Sequence, residues 1–176
     1  MTRLWRFAMA IIAPMAAPAF ADDPNPVTKV PKGDPAMVAA FGKAAATFDH
    51  FLAVWRSPPP GGKGFSVKIG LVDAQAAPGY TLVAPGSGPR IGVEWFWTNE
   101  LREEEGGYSA RLSNDPEVVH NVRRGLRVRF TRADVGDWMY WRDGKIVGNA
   151  TACPALAHAS ESERNEMREK YGIDCP

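Results

Sequence analysis

The sequence predicts a single α+β domain. An antiparallel sheet of about five strands is covered on one face by a long N-terminal helix, and a disulfide pins a C-terminal helix. Three observations carry this. Apolar residues recur at spacings of three and four through one long segment, Met37 to Trp55. Most of the chain beyond Trp55 alternates apolar and polar residues between turn formers. Two cysteines, Cys153 and Cys175, bracket a polar helical pattern at the C-terminal end. The chain has 176 residues and is 45% hydrophobic, which suits one domain with a real core and excludes wholesale disorder.

Met1–Ala21 reads as a secretory signal peptide. Arg3 and Arg6 give the positive start, Phe7–Phe20 carries no charge, and Ala19-Phe20-Ala21 supplies small residues before a cleavage point between Ala21 and Asp22. The uncharged run is too short to span roughly 30 Å of hydrocarbon, and it holds Pro14 and Pro18. No membrane anchor is therefore expected after cleavage. Asp22 rather than a cysteine stands immediately after the cleavage point, so a lipid anchor is disfavoured, and the separated arginines do not form a twin-arginine pair. Cleavage removes two cations and takes the formal charge from +1 to about −1. The expected product is a periplasmic or secreted domain.

Asp22–Gly33 is polar and rich in proline, an extended linker. Asp34-Pro35 then supplies an N-cap and a proline for the first helical turn. The apolar stripe of Met37, Phe41, Ala44, Phe48, Phe51 or Leu52, and Trp55 comes next, and Ser57-Pro58-Pro59-Pro60-Gly61-Gly62 ends it. Phe65, Val67, Ile69 and Leu71 alternate with Ser66, Lys68 and Gly70 in a half-buried strand. Asp73–Arg90 is a long Gly/Pro/Ala-rich connection with room for a short strand at Tyr80–Val83. Ile91–Leu101 is a second strand with Trp95 and Trp97 on one face and Glu94, Phe96 and Thr98 on the other. A charged tip at Glu103–Gly107 returns the chain as a third strand from Tyr108 to Leu112.

Asn114-Asp115-Pro116 breaks the chain and predicts a short helical turn through Asn121. Leu126, Val128 and Phe130 alternate with Arg127 and Arg129 in a fourth strand. Trp138–Trp141 and Lys145–Ala150 form a hairpin around Asp143-Gly144, a dipeptide that favours a type I′ turn. Ser160-x-x-Glu163 is a capping box opening a helix to Tyr171, with Gly172 as its stop. In an exported chain, Cys153 and Cys175 read as one disulfide, stapling this helix to the end of the preceding strand.

The chemistry of the chain is less legible. His50, His120 and His158 fall on separate elements without metal-ligand spacing and read as structural or solvated. No nucleophile elbow, zinc motif or phosphate-cradling glycine loop occurs, so neither metal nor cofactor is expected. Five arginines between Arg123 and Arg132 suggest a phosphate patch, but they fit better as the wet face of a strand paired with carboxylates. Without a Lys/Arg excess, nucleic acid is not an expected partner. Asp137-Trp138-Met139-Tyr140-Trp141 is the most distinctive segment: aromatics beside a carboxylate make either a pocket wall with a polar anchor or plain core.

The order of features resembles a known bacterial family. A helix ends in a Pro/Gly loop before Phe65-Ser66-Val67-Lys68. Glu94-Trp95-Phe96-Trp97 comes next, and Asn114-Asp115-Pro116 precedes a strand led by Gly125. Asp137-Trp138-Met139-Tyr140 then leads into Asp143-Gly144-Lys145, Gly148 and Thr151. From Met37 to the C-terminus this resembles the domain of unknown function 2314, with Asn149-Ala150 departing from the Gly or aromatic expected before the threonine. The resemblance implies a compact α+β domain and brings no activity with it.

Two functions are compatible with these readings. One is a non-catalytic domain binding a protein or small molecule of the cell envelope through Trp97, Asp137, Trp138 and Tyr140. In that reading Trp138→Ala abolishes binding and leaves the domain folded. The other is an envelope hydrolase in which two of Glu94, Asp134, Asp137 and Asp143 converge in one cleft, about 5–10 Å apart.

Overall fold

The computed structural model describes residues 33–75, 78–87, 91–157 and 159–175. The signal segment Met1–Ala21, the Ala21-Asp22 cleavage point, nearly all of the Asp22–Gly33 linker and His158 lie outside the described residues.

Helix α1 runs from Pro35 to Arg56. The Asp34 carboxylate accepts the Met37 N–H at 2.8 Å, the N-cap that the Asp-Pro pair predicts. Seven strands come after it: β1 (Lys63–Asp73), β2 (Tyr80–Val83), β3 (Glu94–Glu104), β4 (Gly107–Leu112), β5 (Arg127–Phe130), β6 (Val135–Arg142) and β7 (Lys145–Gly148). A short helix α2 (Ala152–Leu156) and helix α3 (Glu161–Tyr171) close the chain. The count of seven exceeds the expected five because Tyr80–Val83 does pair, and both arms of the Asp143-Gly144 hairpin lie in the sheet.

The strands lie in the order β5-β4-β3-β1-β6-β7, all antiparallel. Strand β1 is central. One edge meets β3; the other meets β6 along Lys63–Ile69 and β2 along Gly70–Asp73. Between β1 and β6 the register jumps from Lys68↔Asp137 to Ile69↔Val135, which leaves Gly136 as an extra residue. The Trp95 ring lies over that position, where any side chain would collide with it.

Ala40, Ala44, Phe48, Phe51 and Leu52 of α1 face the sheet and are buried. Ala44, Phe48, Phe51 and Leu52 meet Val67, Ile69, Leu71, Phe96, Val128, Phe130, Trp138 and Tyr140 in one core. Each large apolar side chain buried here contributes about 1.5–3 kcal/mol. Helix α1 has the length and hydropathy to cross a membrane. Here its apolar stripe is packed on the sheet, as its periodicity predicts.

Two expectations need correction. Residues 116–121 form no helical turn. Their backbone N–H groups donate instead to two carboxylates, Glu94 and Asp73, which replace a helical ladder. The disulfide Cys153–Cys175 forms, with Cα atoms 5.3 Å apart. It joins the chain after α3 to α2 rather than to a strand end, because a short helix intervenes after β7. Helix α3 begins at the predicted capping box and ends at Gly172 in the left-handed conformation.

Candidate functional site

Strand alternation decides where the predicted site residues go. Consecutive side chains of a strand point to opposite faces. Trp138 and Tyr140 therefore share one face of β6, and Asp137 and Met139 share the other. The four residues grouped by the sequence do not form one site.

Trp138 and Tyr140 belong to the helix-covered core. Trp138 is 6% exposed and Tyr140 2%. The Trp138 indole N–H donates to the Ala44 carbonyl at 3.2 Å and the Thr47 hydroxyl at 3.1 Å. Its ring lies 5.4 Å from that of Phe51, and Tyr140 stacks on Phe65 at 5.2 Å. The Trp138→Ala expectation is corrected accordingly: the change empties the core rather than clearing a surface.

Trp97 and Asp137 do come together, on the opposite face, around Lys68, which is not among the candidate site residues. Lys68 pairs with Trp97 across β1–β3 and with Asp137 across β1–β6. Its ammonium lies 4.5 Å from the Trp97 ring centroid, a cation–π contact. It donates to the Thr151 hydroxyl at 2.6 Å. Thr151 in turn donates to Asp137 at 2.7 Å through its hydroxyl and 2.8 Å through its N–H. The N–H groups of Trp138 (2.8 Å) and Ala150 (3.2 Å) complete the shell of Asp137.

Asp137 and Thr151 are each 1% exposed, whereas Lys68 and Trp97 are half-buried. Burial pushes the Lys68 ammonium down to about 8; the Asp137 charge opposes this without cancelling it. The Asp137 carboxylate fixes the turn after β7; Lys68 and Trp97 keep partial exposure as residues, while the Lys68 ammonium itself is held between the Trp97 ring and the Thr151 hydroxyl. Lys68 ends the Phe65-Ser66-Val67-Lys68 run of the family pattern, but nothing local marks it as a partner of Asp137. Its importance comes from the register of three strands.

Of the other carboxylates considered for hydrolysis, Glu94 and Asp134 are held by separate partners. Glu94, 2% exposed, accepts the N–H groups of Glu117, Val118 and Val119 at 2.9–3.1 Å. Asp134 accepts from the Thr131 N–H and hydroxyl, both at 2.8 Å. Asp143 sits in the β6–β7 turn with a positive φ of 51°. Asp73 continues the row begun by Glu94, taking the N–H groups of His120 and Asn121. The His120 backbone N–H, then that of Asn121, holds the Asp73 carboxyl below its ordinary range.

Four of the five arginines of the run, Arg124, Arg127, Arg129 and Arg132, are paired. Arg127 and Arg111 both meet Glu100 at 2.9 Å, Arg132 meets Asp49 at 2.5 Å, Arg124 meets Asp115 at 3.5 Å and Arg129 meets Glu104 at 3.6 Å. Glu103 pairs with Arg56. This is the solvated, charge-compensated strand face that alternation predicts. Among the described residues no three His, Cys, Asp or Glu side chains cluster as metal ligands. An open groove of about 550 Å³ flanks the β3–β4 turn beside Glu104, Tyr108 and Arg132, away from Lys68.

Comparison with known families places the chain. Residues 34–175 match the bacterial family described as "Uncharacterized protein conserved in bacteria (DUF2314)". The chain belongs to that family. The match takes in every element from α1 to α3, so the Lys68, Asp137 and Thr151 network lies inside the family domain. A relative, the "Uncharacterized protein YegJ" of Escherichia coli strain K12, is 36% identical over 78 residues. That stretch is 44% of this chain and 51% of the relative, so the match spans about half the relative's length. No solved structure matches the chain.

Proposed function

We propose that this member of the family is an exported, periplasmic, non-catalytic binding domain, and that its binding face is the sheet surface carrying Trp97 and Lys68. The partner is a protein or small molecule of the cell envelope. One observation carries the reading: the Lys68 ammonium lies over the Trp97 ring, 4.5 Å from its centroid, and both residues are half-buried on the face opposite the buried Trp138 and Tyr140. Such a pair offers aromatic surface with a cation seated on it, a common composition for recognition surfaces.

Binding is favoured over envelope hydrolysis because Glu94, Asp134 and Asp137 each have their own backbone donors. A pair of catalytic carboxylates needs one shared cleft. Export is supported by the Arg3/Arg6 start, the uncharged Phe7–Phe20 run and the disulfide, which persists in oxidising compartments.

The test immobilises the mature chain and passes envelope extract over it. Trp97→Ala is expected to lose the components that the wild type retains while melting normally. Equal retention by the folded variant overturns this face as the binding site. Fractionation of cells expressing the full chain tests export separately. A periplasmic product beginning at Asp22 is expected, and an uncleaved cytoplasmic product overturns it.

A further inference from the structure

Residues 151–175 differ in construction from the rest of the domain. Their buried members among the described residues are Thr151, Ala152 and Ile173, at the two ends of the segment. Helix α3 between them has no buried residue. The Cys153–Cys175 bridge ties these two ends together. On the sheet side the segment hangs from consecutive left-handed residues, Gly148 (φ 90°) and Asn149 (φ 58°). Left-handed φ in a non-glycine residue is uncommon and is retained where the surroundings impose it. At its far end, α3 rests on the β6–β7 hairpin through the Trp141–Tyr171 ring contact and the Lys145 ammonium donating to the Glu169 carbonyl.

The first anchor of this segment is also a cover for Lys68. Thr151 accepts the Lys68 ammonium and holds Asp137 beside it. Cys153 is two residues further on, so the bridge clamps the Thr151 corner to the Ile173 anchor. Thinly packed, end-anchored segments open at lower free energy than the core they lie on.

We infer that residues 151–175 form a disulfide-clamped strap over Lys68 that opens as a unit when Cys153–Cys175 is reduced. A dithiol supplies the two electrons. Its thiolate attacks one bridge sulfur, forming a mixed disulfide with that cysteine and releasing the other as a thiolate; its second thiol then attacks the mixed disulfide and displaces the cysteine still held there. The bridge gains two electrons and two protons, and the dithiol leaves as its cyclic disulfide. With the clamp gone, Thr151 leaves Lys68, whose amine then meets solvent on the Trp97 face. The purpose of this opening rests on the binding reading of that face; the opening itself does not.

The experiment reads Lys68 directly in the full mature chain. Lysine acylation by an amine-reactive ester is mapped by mass spectrometry with and without dithiothreitol, alongside amide exchange. On reduction, Lys68 is expected to react about tenfold faster, with Lys43 and Lys63 unchanged, as local opening requires. Amides of residues 151–157 lose protection while those of Val67–Leu71 keep it. The double variant Cys153→Ser/Cys175→Ser reproduces this without reductant, and Thr151→Val speeds Lys68 acylation with the bridge intact. An unchanged Lys68 rate on reduction overturns the strap. So does simultaneous loss of protection in β1, which makes the bridge a staple of the whole domain. Failure of Trp97→Ala to alter binding leaves these readouts untouched.

Discussion

The two faces of the sheet use the same strands to opposite ends. Beneath α1, Phe48, Phe51, Phe96, Trp138 and Tyr140 are packed dry, and polar atoms there serve local needs such as the Trp138 indole bond to Ala44. On the other face, Lys68, Thr151 and Asp137 form a hydrogen-bonded charge network edged by half-buried Trp97. Asp137 and Trp138 are neighbours in sequence and belong to different chemistries. Aromatic density along a strand is therefore no guide to a site until the faces are separated.

The largest expected effect breaks the dry face. Trp138→Ala should cost about 3–5 kcal/mol, the range for emptying a large aromatic from a core, with loss of cooperative melting at modest denaturant. Urea unfolding measures it; a change below about 1 kcal/mol would place Trp138 outside the core. On the network face, Asp137→Ala should cost about 3 kcal/mol, because Thr151, Ala150 and Trp138 N–H groups lose their acceptor and Lys68 its nearby charge. Asp137→Asn, which keeps an acceptor oxygen, should recover part of this in the same titration.

Next in size is a pH effect. The folded Lys68 pKa, about 8, lies below the unfolded lysine value, so the unfolded chain holds the extra proton between about pH 8 and pH 10.5. Stability contributed by this group therefore rises with pH through that window and is lowest below it. Lys68→Met should flatten the rise in melting temperature across it relative to wild type. A parallel pH profile in the two proteins would contradict the assignment. The smallest effect is at the exposed ion pairs. Arg129→Ala, at a 3.6 Å contact, should change stability by less than about 0.5 kcal/mol, and less still in high salt.

Much of the fold was legible from local signals. Asp34-Pro35 and the Ser57–Gly62 run bound α1, Asp143-Gly144 makes the predicted hairpin turn, and Ser160 and Glu163 form the predicted capping box. These are interactions within four residues, which a linear reading sees. The helical turn expected at 116–121 failed for a non-local reason. Glu94 and Asp73 lie at least 23 residues away and capture its N–H groups. The site failed similarly. The sequence presents Asp137, Trp138 and Tyr140 as one cluster, and strand alternation divides them.

The sequence by itself determined the α+β class, the long amphipathic helix, the disulfide pair and the family, because periodicity, caps and cysteine parity are local or compositional. Only the tertiary structure decided that Lys68, Thr151 and Asp137 meet. Their contact depends on a β1–β6 register shifted by one residue at Gly136 and on a turn 83 residues beyond Lys68. A register is set by the whole packed sheet, since a one-residue slip would turn every side chain to the wrong face.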